Sequence, residues 1–235
     1  MDPFFLDNID EKSDLIPLLS LEDEEKINST KIPKELSILP LKNTVLFPGV
    51  VIPVTVGREK SIKLIKDNYV GKKIIGTVSQ KDITIEDPNP SHLNSVGTVA
   101  KIMRLFKMPD GSSTIIIQGL KKFKLKSITQ TDPYFKATVE PFKEIYPKNN
   151  NDTFKALISS LKDISLKVIK ESPKIPSEVA FAVNNIESDS FLVNFISSNM
   201  NIKVVDKQQI LEEPSLEKRT NITLKHLNEE LKVLE

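Results

Sequence analysis

Residue types suited to chemistry are scarce in this sequence and poorly spaced for it. There is no cysteine, so disulfides, cysteine-ligated zinc and iron–sulfur clusters are excluded. The only histidines are His92, after the loop-forming run Pro88-Asn89-Pro90-Ser91, and His226, among lysines and glutamates of a helical pattern. Both read as solvent-facing, and no metal centre is expected. Neither G-x-S-x-G nor H-E-x-x-H occurs, and no histidine stands beside a nucleophile as a serine triad requires. No G-x-x-x-x-G-K-[ST] occurs either, so nothing can wrap a triphosphate. Gly57-Arg58-Glu59-Lys60-Ser61 has a glycine, a lysine and a serine but lacks the second glycine of that cradle. It reads as the start of a helix with Lys60 exposed. Thirty-two acids allow many carboxylate pairs, and nothing singles one out. The run KKFKLKS (121–127) sets Lys122, Lys124 and Lys126 against Phe123, Leu125 and Ser127. Half-buried strand alternation explains it, with nucleic-acid contact by a basic face as the weaker alternative. No catalytic residue is assigned, and the chain by itself is expected to be no enzyme.

The elements that would position any site fall into segments of different character. Residues 1–34 carry nine acids against four lysines and show no clear periodicity, so an acidic, disordered leader is expected. All seven glycines lie between Gly49 and Gly119. Glycine punctuates turns and is penalised inside helices, so a β-rich part should precede an α-rich one, an α+β fold. Strand candidates are 36–41, 50–56, 73–79, 96–108, 113–119, 122–128 and 134–142, spaced as in a small barrel or sandwich. Met108-Pro109-Asp110-Gly111-Ser112 is the clearest hairpin turn, and 58–68 reads as one short amphipathic helix.

From residue 151 the period changes. Phe154, Leu157, Ile158, Leu161, Ile164, Val168 and Ile169 recur at helical steps behind an Asn151 or Asp152 cap. Further helices are expected from Pro176 to about Ile186, around FLVNFISSN behind Ser188 or Asp189, and over about 204–213. A last one opens after Pro214-Ser215. In it Leu224, Leu227, Leu231 and Leu234 keep the spacing of a coiled-coil seam, which marks them as assembly candidates. That pattern still runs at Glu235, as it would in a piece of a longer protein. No apolar run approaches the roughly 20 residues that span a bilayer. The acidic N-terminus is the opposite of a secretory signal, and a formal charge of +1 gives no global field toward nucleic acid or membrane. A cytoplasmic protein is expected.

One stretch combines features that belong neither to a buried strand nor to an ordinary loop. NTVLFPGVVIPVTVGREKS (43–61) places two prolines and a glycine in a β-branched, apolar run. Together with ILPLK before it, VSQKD (78–82), VGTVAKIMRLFKMPDGSSTIIIQGLKKFKL (96–125) and KQQILEEPSLEKR (207–219), it resembles the amino-terminal domain of the bacterial ATP-dependent serine protease family Lon. The resemblance covers about residues 36–235. It implies a compact, mostly antiparallel PUA-like β-domain over 35–146, then a helical bundle over 151–235 ending in a long coiled-coil-like helix. Pro48 and Pro53 would then sit at a bend and at a strand start or edge.

The resemblance also implies function. Such a region is a non-catalytic substrate-recognition and assembly part of a protease that degrades misfolded and regulatory proteins. Its partners would be unfolded or degron-bearing clients and other copies in a hexamer, with no nucleic acid and no membrane. ATP and magnesium belong to an ATPase module this chain does not include, so no cofactor is expected here. Unrelated clients share exposed apolar surface, which a patch of aromatic and methionine side chains can hold. Phe106 and Met108 are the leading client-binding candidates, with Leu105, Pro109 and Met103 beside them; Met103 should alternate with Leu105, and Leu105 should face opposite to Phe106. A purely structural assembly module and a stand-alone Lon-domain binding protein are the alternatives.

Overall fold

The computed structural model describes residues 19–148, 151–172 and 175–234. In chain order it has α1 (Leu21–Ser29), β1 (Glu35–Leu41), β2 (Val51–Val56), α2 (Glu59–Tyr69), β3 (Ile74–Ser79), β4 (Val96–Lys107), β5 (Ser113–Gln130) and β6 (Lys136–Pro141). Five helices follow: α3 (Asp152–Glu171), α4 (Ser177–Asn185), α5 (Asp189–Asn199), α6 (Val204–Glu212) and α7 (Leu216–Leu234). The α+β division expected from the glycine distribution is therefore present.

The strands form one sheet in the order β2-β5-β4-β3-β1-β6, which closes because β6 also pairs with β5. One long strand allows this. The first half of β5 pairs with β2 and its second half with β6, so 113–119 and 122–128 are parts of a single 18-residue strand. Only β1 and β3 run parallel. Bulges between Ile102 and Arg104 in β4 and along the β5–β6 pairing supply the bends that closure needs.

The apolar loop before β2 now has its reason. Val45, Leu46 and Phe47 are buried: Val45 and Phe47 join the core between barrel and bundle, and Leu46 joins the barrel core. Its carbonyls are satisfied there: Thr98 Oγ1 donates to Leu46 O at 2.6 Å and Asn194 Nδ2 to Pro48 O at 3.1 Å. Gly49 takes φ +81° to turn the chain. Gly119 lets the loop lie on β5, because a Cβ there would stand 2.2 Å from Phe47 O. Pro53 lies within β2, which has a strand neighbour on one side only, so its missing N–H can face the open edge.

The bundle forms as the helical periodicity dictates. Asn151 accepts from Phe154 N–H and Ser188 from Phe191 N–H, capping α3 and α5. α7 packs on α3 and α5, and the bundle core takes in Val45, Phe47, Val50 and Val96 from the barrel side. α6 is tied to the barrel by buried Gln208, which accepts from Ser79 Oγ at 2.6 Å and donates to Val96 O at 3.0 Å.

The leader needs a correction in part. Residues 1–18 lie outside the described residues, but 21–29 form a helix where the sequence suggested no order. Ser20 caps α1, Ile27 inserts into the core, Lys121 Nζ donates to Thr30 O and Ser188 Oγ to Glu24. One buried isoleucine and two long-range hydrogen bonds hold a helix that has no periodicity of its own to announce it.

Candidate functional site

The β4–β5 hairpin projects beyond its neighbours. Pairing of β3 with β4 ends at Ile74–Lys101, so the outer part of β4 has β5 as its only strand partner. The turn is fixed at its tip: Met108 N–H donates to Ser112 O at 2.9 Å, Gly111 takes φ +85°, and Asp110 accepts from the Ser112 N–H and hydroxyl. Those bonds, led by the hydroxyl, hold the Asp110 carboxyl below the usual range.

On this hairpin the predicted side chains separate. Leu105 pairs with buried Ile115 and packs against the barrel core, so it is structural in the main. Phe106 pairs with Thr114 and points the other way, as expected, and is 38% exposed. Met108, at the tip, is 44% exposed, and Pro109 beside it is exposed as well. Met103 departs from expectation. It falls in the bulge between Ile102 and Arg104, which breaks the alternation with Leu105 and leaves Met103 44% exposed. Phe106 and Met108 thus share the hairpin with exposed Met103 and Pro109, while Leu105 is partly buried against the barrel core.

The surface is open. The cavities at α2 and the 87–88 loop, inside the bundle, and beneath α1 have volumes of about 20, 30 and 40 Å³, room for a water or two, and no residue of the outer hairpin lines them. Among the described residues no group of three His, Cys, Asp or Glu can hold a metal ion. No described helix is long and apolar enough to cross a membrane. His92 is not the exposed loop residue expected: its Nδ1 accepts from Asn89 N–H at 3.0 Å and closes a capping box. His226 is 18% exposed with Glu229 at 3.5 Å, so it too is less solvated than its charged neighbours suggest. Arg58 spends its guanidinium on Pro40 O, Gln80 and Glu86 O, which binds the loop to the barrel rather than any phosphate.

A charged joint between barrel and bundle escaped sequence reading. Glu144 Oε1 lies 2.7 Å from Lys122 Nζ of β5 and 2.6 Å from Arg219 Nη1 of α7, both cations 1% exposed. Lys122 also donates to Leu211 O of α6, Tyr146 to Glu144 Oε2, and Ile145 bridges to Ser215. Burial opposes ionisation of Glu144, but Lys122 and then Arg219 outweigh it and hold its carboxyl below the ordinary range. Burial, reinforced by Arg219, pushes the Lys122 ammonium down to about 8 against the pull of Glu144. The KKFKLKS run is therefore no basic face: Lys122 is buried here, Lys124 lies 5.6 Å over the Phe142 ring, and Lys126 pairs with Glu140. A signal for the joint existed in the spacing Leu216, Arg219, Thr220, Thr223, Leu227, a helical stripe with an arginine in it, and all five are buried.

The assembly candidates lie on the same helix. Leu227 is 2% exposed in the bundle core, and Leu224, Leu231 and Leu234 pack partly buried against it. α7 packs chiefly on α3 of its own chain.

Comparison with known proteins adds the following. Residues 35–229 match the family model described as the ATP-dependent protease La (LON) substrate-binding domain. The Lon protease of Flavobacterium johnsoniae is 49% identical over all of this chain, which covers 29% of that protein. The Lon protease of Cytophaga hutchinsonii is 43% identical over 96% of the chain, again covering 28% of the relative. The chain thus spans less than a third of the length of these curated relatives. Among solved structures, the N-terminal domain of Mycobacterium avium complex Lon protease aligns with a TM-score of 0.68 at 18% identity, over 83% of this chain and 98% of that one. A Lon N-terminal domain protein from Xanthomonas campestris aligns at 0.55 and 14% identity, over 80% and 96%. At such identities the structural likeness shows the fold alone.

Proposed function

Because the chain belongs to the LON substrate-binding domain family, we propose that it is the client-collecting, non-catalytic part of an ATP-dependent serine protease. On this reading it holds exposed apolar segments of misfolded or degron-bearing proteins and presents them to ATPase and protease modules elsewhere in the whole protein. The parent would be a cytoplasmic hexamer using ATP and magnesium in those modules. The observation that carries the reading is the projecting hairpin, where Phe106, Met108 and Met103 stay exposed on a fixed support. Rigid backbone with adaptable tips suits many sequences at little ordering cost. We place the two units at 35–146 and 151–235, with the boundary in the stretch of about 144–152 that includes the Glu144–Tyr146 joint. A purely structural assembly role is the second reading, and it is less favoured because Leu227 is buried in the bundle of its own chain and the other three α7 leucines are partly buried against it.

Hydrogen exchange with and without a reduced, carboxymethylated protein as unfolded client tests the proposal. Slowed exchange around residues 104–114 is expected. Slowing confined to α4–α7 would move the site to the bundle and overturn it.

A further inference from the structure

We infer that the projecting hairpin selects client segments carrying carboxylates between their apolar side chains, an inference that rests on the client-binding reading above. The exposed apolar groups do not stand alone. Lys101, Arg104 and Lys107 are exposed in the same stretch of β4, interleaved with Met103, Phe106 and Met108. None of the three cations has a hydrogen-bond or ion-pair partner among the described residues. Some other surface lysines are paired: Lys26 has Glu22 and Asp23, Lys63 has Asp67, and Lys126 has Glu140.

The register shows what surrounds them. Arg104 lies opposite Ile116 and, across β5, Pro53; Phe106 lies opposite Thr114 and Thr55. No acid occupies these positions. The one acid of the turn, Asp110, is engaged by Ser112. Exposed Lys72 adds to the field from the turn beside the bulge, where Ile102 N–H donates to Lys73 O at 2.8 Å. With a formal charge of only +1 for the whole chain, this is a local concentration of positive charge, not a general property. An extended segment laid across the Phe106 face meets apolar tips with Lys101 and Arg104 beside them, while Lys107, opposite Ser113, adds its charge from the Leu105 side of the same hairpin. The segment's carboxylates gain partners, Arg104 offering a planar fork, while a lysine-bearing segment is repelled.

Fluorescence anisotropy with a labelled peptide of interspersed Glu, Ser and Phe or Leu, and matched peptides with Gln or Lys for Glu, tests this on the full chain. At low salt the Glu peptide is expected to bind roughly tenfold tighter than the Gln peptide, from about three exposed pairings. The advantage should shrink at high salt. The triple variant Lys101→Glu, Arg104→Glu, Lys107→Glu should instead favour the Lys peptide, with an unchanged melting temperature because all three are exposed. Should the triple variant bind all three peptides as wild type does, while Phe106→Ser with Met108→Ser weakens them all, the charge selection is wrong and client binding stands. Should neither variant alter binding, the client reading itself falls. Tighter binding of a single-stranded oligothymidylate than of the Glu peptide, abolished in the triple variant, would assign the face to nucleic acid and overturn the inference.

Discussion

Glu144→Ala is expected to destabilise the protein by roughly 3–5 kcal/mol, the range for leaving buried charges unpaired. The carboxylate removed is the shared partner of Lys122 and Arg219, each 1% exposed, and Arg219 Nε and Nη2 already lack partners among the described residues. Without Glu144 two cations face each other at the barrel–bundle joint. Urea denaturation gives the magnitude. Limited trypsin digestion should cut faster after Lys148, just past the joint, which also tests the boundary placed at about 144–152. Adding Lys122→Met should restore part of the loss, since removing a charge costs less than stranding it. An unchanged urea midpoint with an uncut linker would mean the joint contributes nothing.

The joint also has a pH signature. Lys122 is held at about 8 in the fold, below the roughly 10.4 of an unfolded lysine. Between those values the unfolded chain binds a proton that the folded chain has released, so this group adds stability as pH rises through that window. In Glu144→Ala the Lys122 value should fall further, and the gain should begin at lower pH than in wild type. For Glu144 the slope has the same sign in a lower window: its lowered pKa contributes stability above the ordinary carboxylate range that is lost on acidification.

Leu227→Ala is expected to cost about 2–5 kcal/mol, the price of a cavity where a large side chain is deleted from a closed core. The loss should not depend on protein concentration, because Leu227 packs within one chain against α3 and α5 neighbours. A coiled-coil seam between subunits would behave otherwise: the variant would dissociate with little loss in the isolated chain. Thermal unfolding at two concentrations separates the two.

These two sites show where sequence reading succeeds and where it stops. Most strands, α2, and the starts of α3 and α5 follow from period, caps and turns, all local properties, and the structure has them within a residue or two. The exception is the break expected between 113–119 and 122–128, which is absent in the continuous β5. The hairpin tip was legible for the same reason, through Asp110-Gly111. Local pattern cannot say which of two stripes on α7 meets its neighbours; the leucine spacing suggested one, while the tighter-packed face is Leu216, Arg219, Thr220, Thr223 and Leu227. Nor does it reveal that Lys122, in a lysine-rich strand, points into the joint, since its partner is 22 residues away and Arg219 lies near the other end of the chain. The bulge that exposes Met103 is likewise a product of barrel closure. α1 has a local Ser20 cap, but its place on the barrel depends on tertiary contacts.

Capture of an unfolded protein by the chain with Phe106→Ser and Met108→Ser, measured beside its melting temperature, tests the client-binding proposal most directly. Both side chains are partly exposed and outside the core, so melting should shift by no more than a few degrees. Affinity for a reduced, carboxymethylated client should fall by about 1–3 kcal/mol, or roughly five- to 150-fold, as two large apolar contacts are lost. Unchanged affinity at unchanged stability would contradict the proposal and place the client site elsewhere.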